Sequence, residues 1–191
     1  MKTVMKAFVA SMLLWGISAA MPASAQTYQI DPVHSSLLFR VKHMDTAYVY
    51  GMFTSMKGTV VVDEANPARS SINIEVDANS VYTHNEQRDN HLRGPDFFNT
   101  RQFPTITFKS TQVRRINANT VQVRGDLTIR GVTRPITASV TLTGKGKNPQ
   151  GKDIIGFETR FTIRRSEFGI RYGLPGLGNE VQVTLSIEAA R

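Results

Sequence analysis

Cysteine is absent from the 191 residues, and that one absence removes thiol catalysis, disulfide scaffolds and thiolate metal sites together. Stability must therefore come from a packed core and backbone pairing. Long apolar runs are also missing after residue 26, as is any extended stretch with helical periodicity. Aromatics make up 8%, and the single tryptophan, Trp15, lies close to the N-terminus. The nucleophile elbow, zinc-protease helix, phosphate loop and dinucleotide fingerprint do not occur, so no enzyme class is indicated. Acidic residues are outnumbered, 15 against 23 Lys and Arg.

What is present begins with a three-part export signal. Lys2 and Lys6 form a positive start, Ala7 to Ala20 an apolar run, and Ala23-Ser24-Ala25 a small-x-small cleavage site. The apolar run is shorter than the roughly 20 residues that span a bilayer. The expected division is a cleaved signal peptide over 1–25 and one exported domain over 26–191. Removing Lys2 and Lys6 lowers the formal charge from +8 to +6. For an exported basic domain, nucleic acid is not an expected partner, whereas anionic lipid, pyrophosphate or envelope polymer is.

Beyond the signal the chain alternates apolar and polar residues in short runs, punctuated by Gly, Pro, Asn and Asp. Leu37, Phe39, Val41 and His43 share one face of a strand over 36–43, with Leu38, Arg40 and Lys42 on the other. A loop is expected around Tyr48 to Gly51, then strands over 52–62, 71–77, 105–116 and 121–129, the last with a bulge or bend at Gly125-Asp126. Further strands follow from Ile136 to Leu142, Ile155 to Ile163 and Val181 to Ile187. About eight strands in one small domain predict an all-β, eight-stranded antiparallel barrel. Such a barrel is either filled by side chains or holds one small ligand. Phe39, Phe53, Phe108, Phe157 and Phe161 are large inward residues, while Ala138 and Thr159 at comparable positions are small.

Asn85 to Phe98 breaks the pattern. It is rich in charge, poor in β-branched residues, and stopped by Gly94-Pro95, so it predicts a short helical insert across one barrel opening. Arg88, Asp89 and His91 cluster there beside Phe97 and Phe98. Asp89 reads as a tie from insert to barrel, pairing with Arg88 or with Arg164-Arg165, while an Arg88 or Arg165 guanidinium facing the opening suits a phosphate or carboxylate instead. His34 reads either as a head-group donor or as part of a turn with Asp31 and Ser35. His43 reads as a cavity-facing or a core histidine. The spacing of His84, Glu86 and His91 matches no zinc motif, so no metal and no cofactor is expected.

Six strings occur in order: Tyr28 to Ser35 (YQIDPVHS), Phe39 to His43 (FRVKH), Arg88 to Leu92 with Asp96-Phe97-Phe98, Phe103 to Phe108 (FPTITF), Gly125 to Thr133 (GDLTIRGVT) and Arg165 to Ile170 (RSEFGI). Together they resemble the YceI-like family of bacterial periplasmic proteins over nearly the whole of 26–191. The resemblance implies an extended lipocalin-like barrel with a helical insert and an internal tunnel. Its ligand would be a long amphiphile: a polyisoprenoid, an isoprenoid quinone or a fatty-acid derivative. On this reading the apolar tunnel is lined by Phe39, Val41, Phe53, Phe97, Phe98, Phe108, Phe157, Phe161 and Phe168. The polar mouth carries His43, Arg88, His91 and Arg165. Membrane contact is expected only for loading, and both monomer and homodimer are left open. The competing reading is a non-enzymatic envelope stress-response or structural protein with a packed core and a protein partner. The loop Arg171 to Asn179 has no predicted place.

Overall fold

The computed structural model describes residues 25–191; the expected signal segment therefore lies, but for Ala25, outside the described residues. Eleven strands and one α-helix follow in order: β1 Gln26–Ile30, β2 Ser36–His43, β3 Ala47–Phe53, β4 Met56–Val62, β5 Ser71–Asp77, β6 Val81–Tyr82, α1 Glu86–Arg93, β7 Thr105–Arg115, β8 Thr120–Ile129, β9 Val132–Lys147, β10 Asp153–Arg164 and β11 Leu177–Ala190. Neighbours are antiparallel, and the ring β1-β4-β5-β7-β8-β9-β10-β11 closes where β11 pairs back onto β1. This is an eight-stranded barrel, as expected, although its strands are not the eight expected: β1 is not among the alternating runs, and 36–43 lies outside the ring. Strands β2, β3 and β6 continue the wall beyond β1, β4 and β5, so the barrel is extended along its axis.

The three prolongations arise because the wall bends at 31–35, at Thr54-Ser55 and at 78–80, and the bends lie side by side. The amide of Thr54 donates to the Ser80 carbonyl at 3.1 Å, and that of Asp77 to the Ser55 carbonyl at 3.1 Å. Across the first bend Ser35 replaces a strand neighbour. Its hydroxyl donates to the Glu188 carbonyl at 3.2 Å and accepts from the Glu188 amide at 3.1 Å. Asp31 organises the turn, its Oδ1 accepting from the amides of Val33 at 2.8 Å and His34 at 3.3 Å. The turn reading of Asp31, His34 and Ser35 is the geometry observed.

Three expectations from the sequence differ from the structure. Tyr48 to Gly51 is strand rather than loop, and the run 52–62 is broken at Thr54-Ser55. Gly51 is not a turn residue: a Cβ there would stand 2.3 Å from Cζ of Phe39, its cross-strand partner. Gly125-Asp126 likewise makes no bulge; β8 runs straight through it, and the irregularity sits opposite in β7, between Ser110 and Gln112. A Cβ on Gly125 would lie 2.5 Å from both the Phe108 ring and the Lys109 carbonyl oxygen. Both glycines make room for an aromatic ring against the wall.

Helix α1 starts where Asn85 caps the Arg88 amide at 2.9 Å and stops at Gly94. Beyond Val81-Tyr82, β6 has no partner in β7, and the segment 84–104 fills that opening. The buried Asp89 carboxylate fastens it, accepting from the Thr83 amide at 2.8 Å and the Thr83 hydroxyl at 2.5 Å. Arg93 donates to the carbonyls of Asn79 at 2.8 Å and Val81 at 3.0 Å. On the opposite side, Arg130 bridges the carbonyls of Pro95 at 2.8 Å and Gly169 at 2.6 Å.

His34 Nδ1 lies 3.0 Å from Asp31 Oδ2 and 3.7 Å from Glu188 Oε1. The hydrogen bond to Asp31 comes first in raising the imidazole pKa, and the same bond lowers that of Asp31. The stabilisation is therefore lost as pH falls through the depressed Asp31 pKa, and again as it rises through the raised His34 pKa. NMR titration of His34 should give a midpoint above the ordinary value of about 6.5. Asp31→Asn should return it toward that value; an unchanged midpoint would contradict the pairing.

Candidate functional site

Alternation on eight walls points one side chain in two inward, and small residues among them leave space. Two apolar cavities adjoin inside the barrel. One, of about 90 Å³, lies away from the helix among Met56, Val60, Ile74, Phe108, Ala138 and Phe157. The other, of about 140 Å³, lies beneath the insert among Phe39, Phe53, Phe97, Phe98, Phe168 and Ile170. Leu37, Ile106, Leu127 and Phe161 line both, so Phe161 stands at the junction.

All nine residues expected along an apolar tunnel border these cavities. Phe39, Val41, Phe53, Phe97, Phe98 and Phe168 face the one under the insert, Phe108 and Phe157 the far one, and Phe161 both. Phe39, Phe53 and Phe98 make a continuous aromatic wall, with centroids 5.7 and 5.4 Å apart. The lining is almost wholly apolar, and two of its polar side chains are engaged elsewhere. Thr159 donates to the Ser139 carbonyl at 2.8 Å, and Glu158 turns its carboxylate to Arg160 at 3.1 Å. Nothing in the lumen asks for a polar ligand, and an aliphatic chain is what it can shelter from water.

The four residues expected at a polar mouth are distributed differently. Arg165 borders the cavity under the insert and is buried, 5% exposed. Its guanidinium donates to the carbonyls of Gly178 at 2.8 Å, Ile170 at 3.3 Å, Tyr172 at 2.8 Å and Leu177 at 2.7 Å. Burial pushes its pKa down from its ordinary high value, yet an arginine remains charged. Arg165 therefore holds the 170–178 loop in place instead of presenting free donors to a head group. Arg88 donates to the Thr83 hydroxyl at 2.7 Å and carbonyl at 2.6 Å. It shares a polar hollow on α1 with Asn85, Gln87 and His91. His91 is exposed, 2.9 Å from Asp96 and edge-on to Phe97 and Tyr172. His43, expected to point inward, is exposed where β2 ends and borders neither cavity. Asp89 pairs with none of the arginines expected for it, Arg88, Arg164 or Arg165; its carboxylate accepts from Thr83 instead.

Residues not singled out from the sequence include Leu92, on the short charged helix α1, and Ile170, in the irregular segment after β10 where no period is readable. Outside the lumen, Asp31, His34 and Glu188 hold ligand-type atoms within 4.8 Å of one another. Those atoms lie at the bend of the outer wall, and Asp31 and His34 already serve its turn. His84 instead bonds the Tyr82 hydroxyl at 2.7 Å.

Gly125→Ala should force the Phe108 ring away from the wall and into the far cavity. The expected cost is about 1–3 kcal/mol by denaturant unfolding, with a smaller cavity in the crystal structure. A variant as stable as the parent, with Phe108 unmoved, would contradict this account of the glycine.

The comparisons with known proteins agree with this geometry. The model of the YceI-like domain matches residues 28–189. A UPF0312 protein of Yersinia enterocolitica is 40% identical over 171 residues, covering 88% of each chain. Another, from Pseudomonas paraeruginosa, is 38% identical over 88% of this chain and 89% of its own. Among solved structures, BcnA of Burkholderia cenocepacia superposes with a TM-score of 0.77 at 25% identity, over 84% of this chain and 99% of that one. A polyisoprenoid binding domain from Saccharophagus degradans shares the fold, with a TM-score of 0.69 at 16% identity over 85% and 97% of the two chains. Closed extended barrel, helical insert and a family match over nearly all described residues lead to one conclusion: this chain belongs to the YceI-like family.

Proposed function

We propose that this chain is a non-enzymatic periplasmic carrier, exported by its N-terminal signal, that holds one long apolar lipid inside the barrel. The ligand class is a polyisoprenoid, an isoprenoid quinone or a fatty-acid derivative. The observation that carries this reading is the pair of adjoining apolar cavities within a closed wall. A domain of the same fold is described as polyisoprenoid binding, which brings such ligands within reach of this architecture.

The magnitudes define how the ligand enters. An engineered cavity of roughly 150 Å³ accepts benzene, so cavities of about 90 and 140 Å³ take only a short piece of hydrocarbon as they stand. A long chain must join them by turning Phe161 and must displace rings beneath the insert. The barrel wall, with its continuous backbone pairing, stays fixed, and the insert, held by side chains, is the part that yields. The apolar tail occupies the lumen, and the polar head remains outside it, because no free donor faces inward. A packed envelope protein would have no reason to leave these two spaces unfilled, since each unfilled methyl-sized volume costs roughly 1 kcal/mol.

Ala138→Phe tests the reading by filling the far cavity, which Ala138 lines. With no tryptophan beyond residue 15, binding is followed by displacement of an apolar fluorescent dye. The variant should lose about tenfold or more in affinity for a polyprenyl lipid, the effect of excluding roughly two methylene groups. A short-chain analogue confined to the cavity under the insert should be held as before. Equal loss for both, or no lipid binding by the parent chain, would contradict the carrier reading.

A further inference from the structure

The loops at the insert end of the barrel carry apolar side chains that the fold does not explain. The hairpin between β2 and β3 turns at Met44 and Asp45, and the Thr46 amide donates to the His43 carbonyl at 3.0 Å. Both turn residues have positive φ, 49° and 51°. A turn of that kind favours Asn and Gly, and a methionine is among the poorer occupants. Met44 receives little compensation from packing, because it is 62% exposed. The Met44 amide donates to the Gly176 carbonyl, which places this tip against the loop over 171–176. That loop exposes Tyr172 by 52% and Leu174 by 39%. Both loops sit where the cavity under the insert ends, since Tyr172 packs edge-on against Phe97 and its carbonyl is held by Arg165.

Cations and an interfacial tyrosine flank this apolar rim. Arg171 is exposed beside Tyr172, and Lys42 lies two residues before Met44. Behind them on the outer wall, Tyr48 is 42% exposed and is packed by Arg40, 4.2 Å from its ring centroid, and by Lys42 at 5.9 Å. Asp45 and Asp96 oppose them locally, but the chain beyond residue 25 retains a formal charge of +6, the full +8 less Lys2 and Lys6. Apolar tips ringed by Lys, Arg and Tyr are the composition that partitions into the headgroup region of an anionic bilayer.

We infer that the rim formed by Met44, Tyr172 and Leu174 docks the barrel, insert end first, onto an anionic membrane surface. The tips enter the headgroup region while Lys42 and Arg171 meet lipid phosphates. Docking sets the end of the lumen against the bilayer, so that an apolar chain passes between them without crossing water. The purpose, loading, rests on the carrier reading; the docking itself does not.

The test is co-sedimentation of the purified chain with vesicles of equal parts phosphatidylglycerol and phosphatidylcholine, free of any polyprenyl lipid. Expression uses the chain's own leader, with the processed N-terminus checked by mass. The chain should sediment with these vesicles, less at raised salt and less with phosphatidylcholine alone. Met44→Asn suits the positive φ, so its melting temperature should equal or exceed that of the parent. Its vesicle affinity should nevertheless fall by about fivefold, the effect of withdrawing roughly half of one large apolar side chain from the membrane. Leu174→Ser should act in the same direction. Failure of the parent to bind, or full binding by Met44→Asn, would overturn the inference, as would a rim that binds a protein and ignores vesicles. Because the vesicles hold no ligand, lipid binding in the lumen passes or fails separately.

Discussion

The structure depends on closing the wall along β11. A barrel with an apolar lumen has no tolerance for unpaired backbone groups facing that lumen. One strand, β11, pairs with β10 on one side and with two successive strands, β2 and then β1, on the other. Between those two the chain leaves the sheet at Asp31 and returns at Ser36. The gap is bridged because one hydroxyl, that of Ser35, both donates to and accepts from the main chain of Glu188. Asp31 holds the departing turn in shape. The bend permits the wall to continue past the first ring of pairing, and the resulting length gives the lumen two cavities in succession.

The lumen remains hollow through compensation between neighbours. Phe39 and Phe108 would fill space if their rings pointed to the axis, but Gly51 and Gly125 let them lie against the sheet. Ala138 adds room in the far cavity. The end under the insert is closed by a different kind of interaction. The Asp89 carboxylate accepts from Thr83, and Arg93, Arg130 and Arg165 donate charge-assisted hydrogen bonds mostly to main-chain carbonyls. Apolar side chains line the lumen and polar side chains fasten its cover.

Much of this is legible in the sequence, and the limits have physical causes. Strands with strict alternation, such as 36–43 and 71–77, appear with the predicted bounds. The aromatic lining follows from the same alternation, because the period decides which face is inward. Strand β3 was obscured because a glycine that yields space to a ring across the sheet looks like a turn glycine in one dimension. The roles of Arg165 and His43 were obscured for the complementary reason. Whether a charged side chain faces a lumen, a loop or water depends on backbone far away in sequence: the carbonyls that receive Arg165 come from 170–178. His43 is in phase with Phe39 and Val41, but its strand ends there and no wall encloses it.

The central claim is that the lumen holds one long apolar chain in the living cell. The most direct measurement is mass spectrometry of the organic extract of this chain, purified from its native host without detergent or added lipid. The account predicts a single class of isoprenoid, quinone or acyl species near one per chain, absent from a control barrel prepared alongside. An extract that is empty, or that matches the control, from folded protein that also refuses added polyprenyl lipid, would contradict it.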